Sequence, residues 1–159
     1  MELVVCVFLL LGAALAGPAS LNTVENGFPV PDDICLGCIC EATTNCTLGF
    51  KCTRGLCGPF LISEPYWIDA GSPNILWDPN NRPEEAYHRC ATDNFCAAAT
   101  VRSYLTKFAQ DCDGDGIVNC NDYAKIHYMG GYHCQAPIDN LLYYSIYLKC
   151  MDSVRKLMG

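Results

Sequence analysis

The sequence predicts a small α+β fold, mostly helical, with one small β-hairpin sheet and a dense set of disulfides. Three observations predict it. A chain of 159 residues, half of them hydrophobic and 17% charged, is long enough and apolar enough for one packed domain and excludes global disorder. Thirteen cysteines in so short a chain point to covalent staples. Apolar residues recur at helical spacing in the C-terminal half, whereas the strand-like runs flank a single Gly turn.

Residues 1–16 hold an apolar run from Leu3 to Ala16, shorter than the roughly 20 residues a spanning helix needs. Ala14 and Ala16 before Gly17 form a small-residue cleavage pattern, so this segment reads as a secretory signal peptide and the mature protein as secreted and extracellular. Removing it takes Cys6 and leaves twelve cysteines, an even number suited to an oxidising compartment. Residues 17–33, rich in Pro and free of cysteine, read as a flexible leader to a domain over 34–159.

Asp32 and Asp33 offer an N-cap to a short first helix that ends at Thr43-Thr44-Asn45. Phe50-Lys51-Cys52 and the run from Cys57 to Ile62 flank Thr53-Arg54-Gly55-Leu56 as a hairpin. Residues 71–83 read as a surface loop. Pro83-Glu84-Glu85 opens a helix, with Pro suited to the first turn and acids to the positive dipole end. Asp93 or Asn94 caps another, on which Val101, Tyr104, Leu105 and Phe108 share a face. A last helix follows Asp139, with Ile138, Leu141, Leu142, Ser145, Ile146 and Lys149 in register and fraying at Met158-Gly159.

The formal charge of −7, with no Lys/Arg run, argues against a nucleic-acid partner. No further apolar run reaches membrane length, and a monomer is expected. Cys35-Leu36-Gly37-Cys38 has zinc-ligand spacing, but no second such pair follows and His88, His127 and His133 form no matching pair. Short separations favour Cys40–Cys46, Cys52–Cys57 and Cys90–Cys96 as bridges; the other six cysteines allow 15 pairings.

The tight series Cys35-x-x-Cys38-x-Cys40, followed by Cys57-Gly58-Pro59-Phe60, Pro65-Tyr66-Trp67-Ile68-Asp69 and Cys90-Ala-Thr-Asp-Asn-Phe-Cys96, resembles the invertebrate-type lysozyme (destabilase) family from about Ile34 to Cys150. The resemblance implies a lysozyme-like fold and hydrolysis of the β-1,4 bond between N-acetylmuramic acid and N-acetylglucosamine in peptidoglycan, in antibacterial defence or digestion. It also implies the pairs Cys35–Cys120, Cys38–Cys150 and Cys112–Cys134. Family members often carry cysteines where this chain has Ala70 and Thr100, a joint absence that keeps the count even.

The chemistry of a retaining glycosidase needs two carboxylates about 5–5.5 Å apart, one of them an acid of raised pKa. The family places its general acid three residues after the third cysteine, where this chain has Thr43, which cannot serve as that acid. The family nucleophile lies between the next two cysteines, a loop shortened here to Thr53, Arg54, Gly55 and Leu56, without an acid. Glu41 is a weak substitute, since two helical positions turn it about 200° from Thr43. Some family members are credited with isopeptidase activity. Ser63, Ser103 and Ser145 are available nucleophiles, but no motif marks them, and His133 reads as a surface residue of a Gly-rich loop.

Asp111-Cys-Asp113-Gly-Asp115-Gly116-Ile117-Val118-Asn119-Cys-Asn-Asp122 has the spacing of an EF-hand or dockerin loop. Asp111, Asp113, Asp115, the Ile117 carbonyl, Asn119 and Asp122 are the expected ligands of a structural Ca²⁺; no cofactor is required for catalysis. The competing reading is a disulfide-held acidic turn. By resemblance Tyr66, Trp67 and Asp69 lie along the substrate cleft, although Trp67 suits a core equally well. Asn45-Cys46-Thr47 is formally an N-glycosylation acceptor.

These residues favour a secreted lysozyme-like protein without ordinary muramidase activity, retaining at most binding of peptidoglycan or another N-acetylated glycan. The alternatives are an active lysozyme using unidentified carboxylates, or a non-sugar scaffold and interaction protein.

Overall fold

A computed structural model describes residues 24–25, 27–75 and 82–158. The expected signal peptide, the leader up to residue 23 with Asn26, residues 76–81 of the 71–83 loop and the C-terminal Gly159 lie outside the described residues.

The α+β, mostly helical class holds. In chain order the elements are β1 (Val24–Glu25), β2 (Phe28–Pro29), α1 (Asp33–Thr44), β3 (Leu56–Cys57), β4 (Ile62–Ser63), α2 (Glu64–Asp69), a 3₁₀ turn (Pro83–Glu85), α3 (Ala86–Thr92), α4 (Asn94–Lys107), α5 (Cys120–Met129) and α6 (Leu142–Met158). Two two-stranded antiparallel ladders are present among the described residues, β1–β2 and β3–β4, rather than the single hairpin expected.

From Pro29 on, the domain supplies partners for the backbone of the leader. The Tyr123 hydroxyl donates to the Pro29 carbonyl, and Arg102 donates to the Pro31 carbonyl at 2.9 Å while pairing with Asp33. The Asp32 carboxylate then caps α1 by accepting from Cys35 N at 2.8 Å. Asn45, in the left-handed conformation, ends the helix.

The expected hairpin is displaced. Residues 53–56 form a tight turn closed by the Cys52–Cys57 bridge, with reciprocal Thr53 and Leu56 backbone bonds of 2.8 and 3.0 Å. Its positive φ at Arg54 and Gly55 is that of a type I′ turn. The chain reverses again at Gly58–Leu61, so Leu56 pairs with Ser63 and Cys57 with Ile62. Ser63 then caps α2, a helix that the sequence reading did not anticipate. The Ser-Glu-Pro start was its signal, a cap residue ahead of a proline in the first turn.

The core lies between α1, α4, α5 and α6, around Ile39, Val101, Leu105, Ile126 and Tyr147, all fully buried. Asp93 caps α4, and its face of Val101, Tyr104 and Leu105 is buried as the spacing predicts. The phase expected for α6 holds only in part: Ile138 is fully buried and Leu141 and Ile146 pack against the core. Leu142 is exposed, and Tyr143, Tyr144 and Tyr147 face inward instead. The Cys38–Cys150 bridge sets this rotation, since positions 143, 147, 150 and 154 share one side. Asp139 stands three residues before the first residue of α6, too far to cap it, and Met158 is still helical rather than frayed.

Six disulfides tie these layers: Cys35–Cys120, Cys38–Cys150, Cys40–Cys46, Cys52–Cys57, Cys90–Cys96 and Cys112–Cys134. No helix of the described residues is long and apolar enough to cross a membrane.

Candidate functional site

A cleft of about 630 Å³ opens between the C-terminal end of α1, the β3–β4 turn, α2 and the end of α5. Thr43 from α1, Leu56 from β3, and Tyr66 and Asp69 from α2 all line it. Four of the residues singled out in the sequence therefore meet at one place. The others do not. Glu41 is exposed and outside the lining, as are Thr53, Arg54 and Gly55. Trp67 also leaves the cleft: its indole donates to the Pro73 carbonyl at 2.8 Å and its ring lies against Tyr87. One helical position separates it from Tyr66, and that step of about 100° sends the two rings to different surroundings.

Most polar atoms of the lining are already committed inside the protein. The Thr43 hydroxyl donates to the Ile39 carbonyl at 2.7 Å. Tyr143 donates to the Ala124 carbonyl at 3.0 Å, and the Tyr104 oxygen accepts from Gly131 N at 3.1 Å. Asp69 is the only carboxylate among the described lining residues, and Lys107 pairs with it at 3.2 Å.

His127, which the sequence reading weighed only for zinc, organises the cleft wall. Its Nε2 lies 3.1 Å from the Phe60 carbonyl, which can only accept, so Nε2 carries the proton. Nδ1 is then bare and accepts from the Tyr66 hydroxyl at 3.1 Å. Tyr66 stacks on Tyr104 with ring centroids 3.6 Å apart. The signal in the sequence was its place one turn after Tyr123, on the helix whose residues 122–126 are buried.

Burial lowers the His127 pKa to about 4, with the Phe60 hydrogen bond opposing the shift. Its folded value lies below the unfolded one of about 6.5. The unfolded chain therefore binds the extra proton between these values. The resulting stability is present above about pH 6.5 and is lost as pH falls through about 4. At about 1.4 kcal/mol per pH unit the loss is about 3 kcal/mol. Urea unfolding from pH 7.5 to 3.5 should show this slope in the wild type and a flatter one in His127→Gln; equal slopes would refute it.

No serine hydroxyl bonds a histidine among the described residues. Ser63 accepts from Tyr66 N at 3.3 Å, Ser145 donates to the Leu142 carbonyl at 2.9 Å, and His133 is exposed.

In the acidic loop, carboxylate oxygens of Asp111, Asp113 and Asp115 lie within 4.8 Å of one another. Gly116 and Gly114 donate to Asp111 and hold its carboxyl below the usual range. Hard oxygens at this spacing suit a calcium ion. The other expected ligands are differently employed. Asp122 is fully buried and accepts from Cys112 N at 2.7 Å and Asn119 N at 2.8 Å. The Asn119 side-chain oxygen accepts from Asn121 N, completing a capping box on α5, and its amide donates to the Ile117 carbonyl. Asp122 is therefore a helix cap and not part of the convergent carboxylate group.

Residues 32–150 match the model of the Destabilase family. The chain is 35% identical over 111 residues to a lysozyme of Ostrea edulis, covering 66% of this chain and 71% of that one. It is 33% identical over 104 residues to invertebrate-type lysozyme 3 of Caenorhabditis elegans, covering 64% and 73%. Among solved structures it resembles the Tapes japonica lysozyme, with a TM-score of 0.56, 26% identity and coverage of 73% of this chain and 87% of that one.

Proposed function

Because the chain belongs to the Destabilase family, we propose that it is a secreted lysozyme-like protein that binds peptidoglycan or another N-acetylated glycan in its cleft without hydrolysing it at an ordinary muramidase rate. The observation that carries this reading is the lining of the cleft. Thr43 stands where the resemblance puts the general acid, and its hydroxyl is spent on the Ile39 carbonyl. Asp69, the one described carboxylate of the lining, is paired with Lys107. A retaining mechanism needs a second carboxylate about 5–5.5 Å away, and an inverting one needs it at about 6.5–9.5 Å. The described lining holds none at any distance.

What remains suits holding a sugar rather than cleaving it. Tyr66, Tyr128 and Leu56 present apolar surface to sugar C–H faces, and Asp69 with Lys107 offers polar contacts at the rim. The signal peptide over residues 1–16, with release of a domain over 34–159, belongs to the same reading, and six disulfides in a small chain support an oxidising compartment. A structural Ca²⁺ held by Asp111, Asp113 and Asp115 belongs to the same reading.

The test uses the oxidised, folded protein on insoluble peptidoglycan from pH 4 to 8, reading both pelleting and released reducing ends. Co-pelleting is expected, with hydrolysis at least about 10²–10⁴-fold below an active relative, the cost of losing one catalytic acid. Release near the rate of that relative would overturn the non-catalytic reading. Neither release nor pelleting would favour a scaffold that no longer contacts glycan.

A further inference from the structure

The sequon Asn45-Cys46-Thr47 ends α1, with Asn45 and Thr47 both exposed. The Asn45 backbone is anchored, its N–H bonded to the Cys40 and Glu41 carbonyls, while the residue is exposed in the left-handed cap. Thr47 is exposed too, its hydroxyl donating to the Thr44 carbonyl at 2.6 Å. At the same corner Leu48 is 75% exposed. From these observations we infer that Asn45 carries an N-linked oligosaccharide, an inference that rests on the secretory reading above.

The step balances with a lipid-diphosphate-linked oligosaccharide as donor. The Asn45 Nδ2 bonds to the anomeric carbon, the carbon–oxygen bond to the diphosphate breaks, the lipid diphosphate leaves with that electron pair, and the amide loses one proton. The fold also sets its timing. Cys46 is bridged to Cys40 and bends the sequon back against α1, with φ of 56° and 48° at Asn45 and Cys46. Transfer therefore precedes that bridge, on the extended chain.

Position gives the glycan a consequence. Thr43, two residues before Asn45, lines the main cleft, whereas Cys46 and Leu48, just after it, line a second groove of about 250 Å³ with Leu36 and Phe60. A glycan on the ridge between them covers the exposed Leu48 and crowds the Thr43 end of the cleft, which favours short glycan ligands over a long polymer.

The test is secretion of the full chain from a eukaryotic host, followed by peptide:N-glycosidase digestion and mass measurement. A mass loss of one oligosaccharide, with Asn45 converted to Asp in the peptide map, is expected. Asn45→Gly, which tolerates the left-handed cap, and Thr47→Ala should abolish it, and Thr47→Ser should keep it. A secreted wild type without glycan would overturn the inference. If the chain is not secreted, the secretory reading fails separately. The same digestion is then repeated with an unrelated leader in place of residues 1–16, and a bare secreted product overturns the site.

Discussion

Gly58→Ala should yield little or no folded protein, a loss of more than about 4 kcal/mol. A Cβ at Gly58 would lie 1.6 Å from the Ala91 carbonyl oxygen and 2.7 Å from its carbon. Both are backbone atoms of α3, so no rotamer change can relieve the overlap, and φ of +70° adds a conformational cost. The damage would reach the cleft, because the turn starting at Gly58 is clamped to its neighbours. Pro59 accepts from the Thr44 hydroxyl at 2.6 Å and Phe60 from His127. Gly55→Ala is the control. It has φ of +80° but nothing within 4 Å, so it should cost only the backbone term of about 1 kcal/mol. Yield and denaturant unfolding would decide, and wild-type stability in Gly58→Ala would refute the close approach.

Asp122→Ala should cost about 3 kcal/mol, and should cost it equally in chelator and in millimolar calcium. The carboxylate satisfies two backbone N–H groups, of Cys112 and Asn119, in a fully buried place. Each orphaned buried donor costs about 1–3 kcal/mol, and the first-turn anion on α5 is lost as well. Burial raises the Asp122 carboxyl from its usual range, against the two hydrogen bonds that favour the anion. Asp113→Asn and Asp115→Asn should behave oppositely. Both residues are exposed, so neither substitution should change Tm in chelator, and each should remove the rise in Tm expected of the wild type in calcium. A calcium-dependent effect of Asp122→Ala would return that residue to the ligand set.

The two residues illustrate how far a pattern reaches. Alternating carboxylates at 111, 113 and 115 converge because a tight loop points alternate side chains inward, which spacing alone encodes. Position 122 matches the same motif but sits one turn into a helix, where backbone donors from Cys112 and Asn119 compete for its oxygens. Likewise Tyr66 and Trp67 are adjacent in a segment that the resemblance assigns to the cleft, yet α2 directs only Tyr66 there.

By itself the sequence determined the class of the fold, the helix starts within Asp32-Asp33 and Asp93-Asn94, the buried face of α4 and the family resemblance. These are local matters of capping, periodicity and cysteine spacing, carried by residues within a turn or two of each other. Only the tertiary structure decided the rotation of α6, the second reversal at Gly58, the anchoring of the leader at Pro29 and Pro31 and the wall built by His127, Tyr66 and Tyr104. Each of these depends on partners far away in the chain: Cys38 for α6, Ala91 for Gly58, Tyr123 and Arg102 for the leader, Phe60 for His127. Close packing, disulfide closure and the need to satisfy buried polar groups choose among local options that are nearly equal in energy, and that choice exists only once the chain has closed on itself.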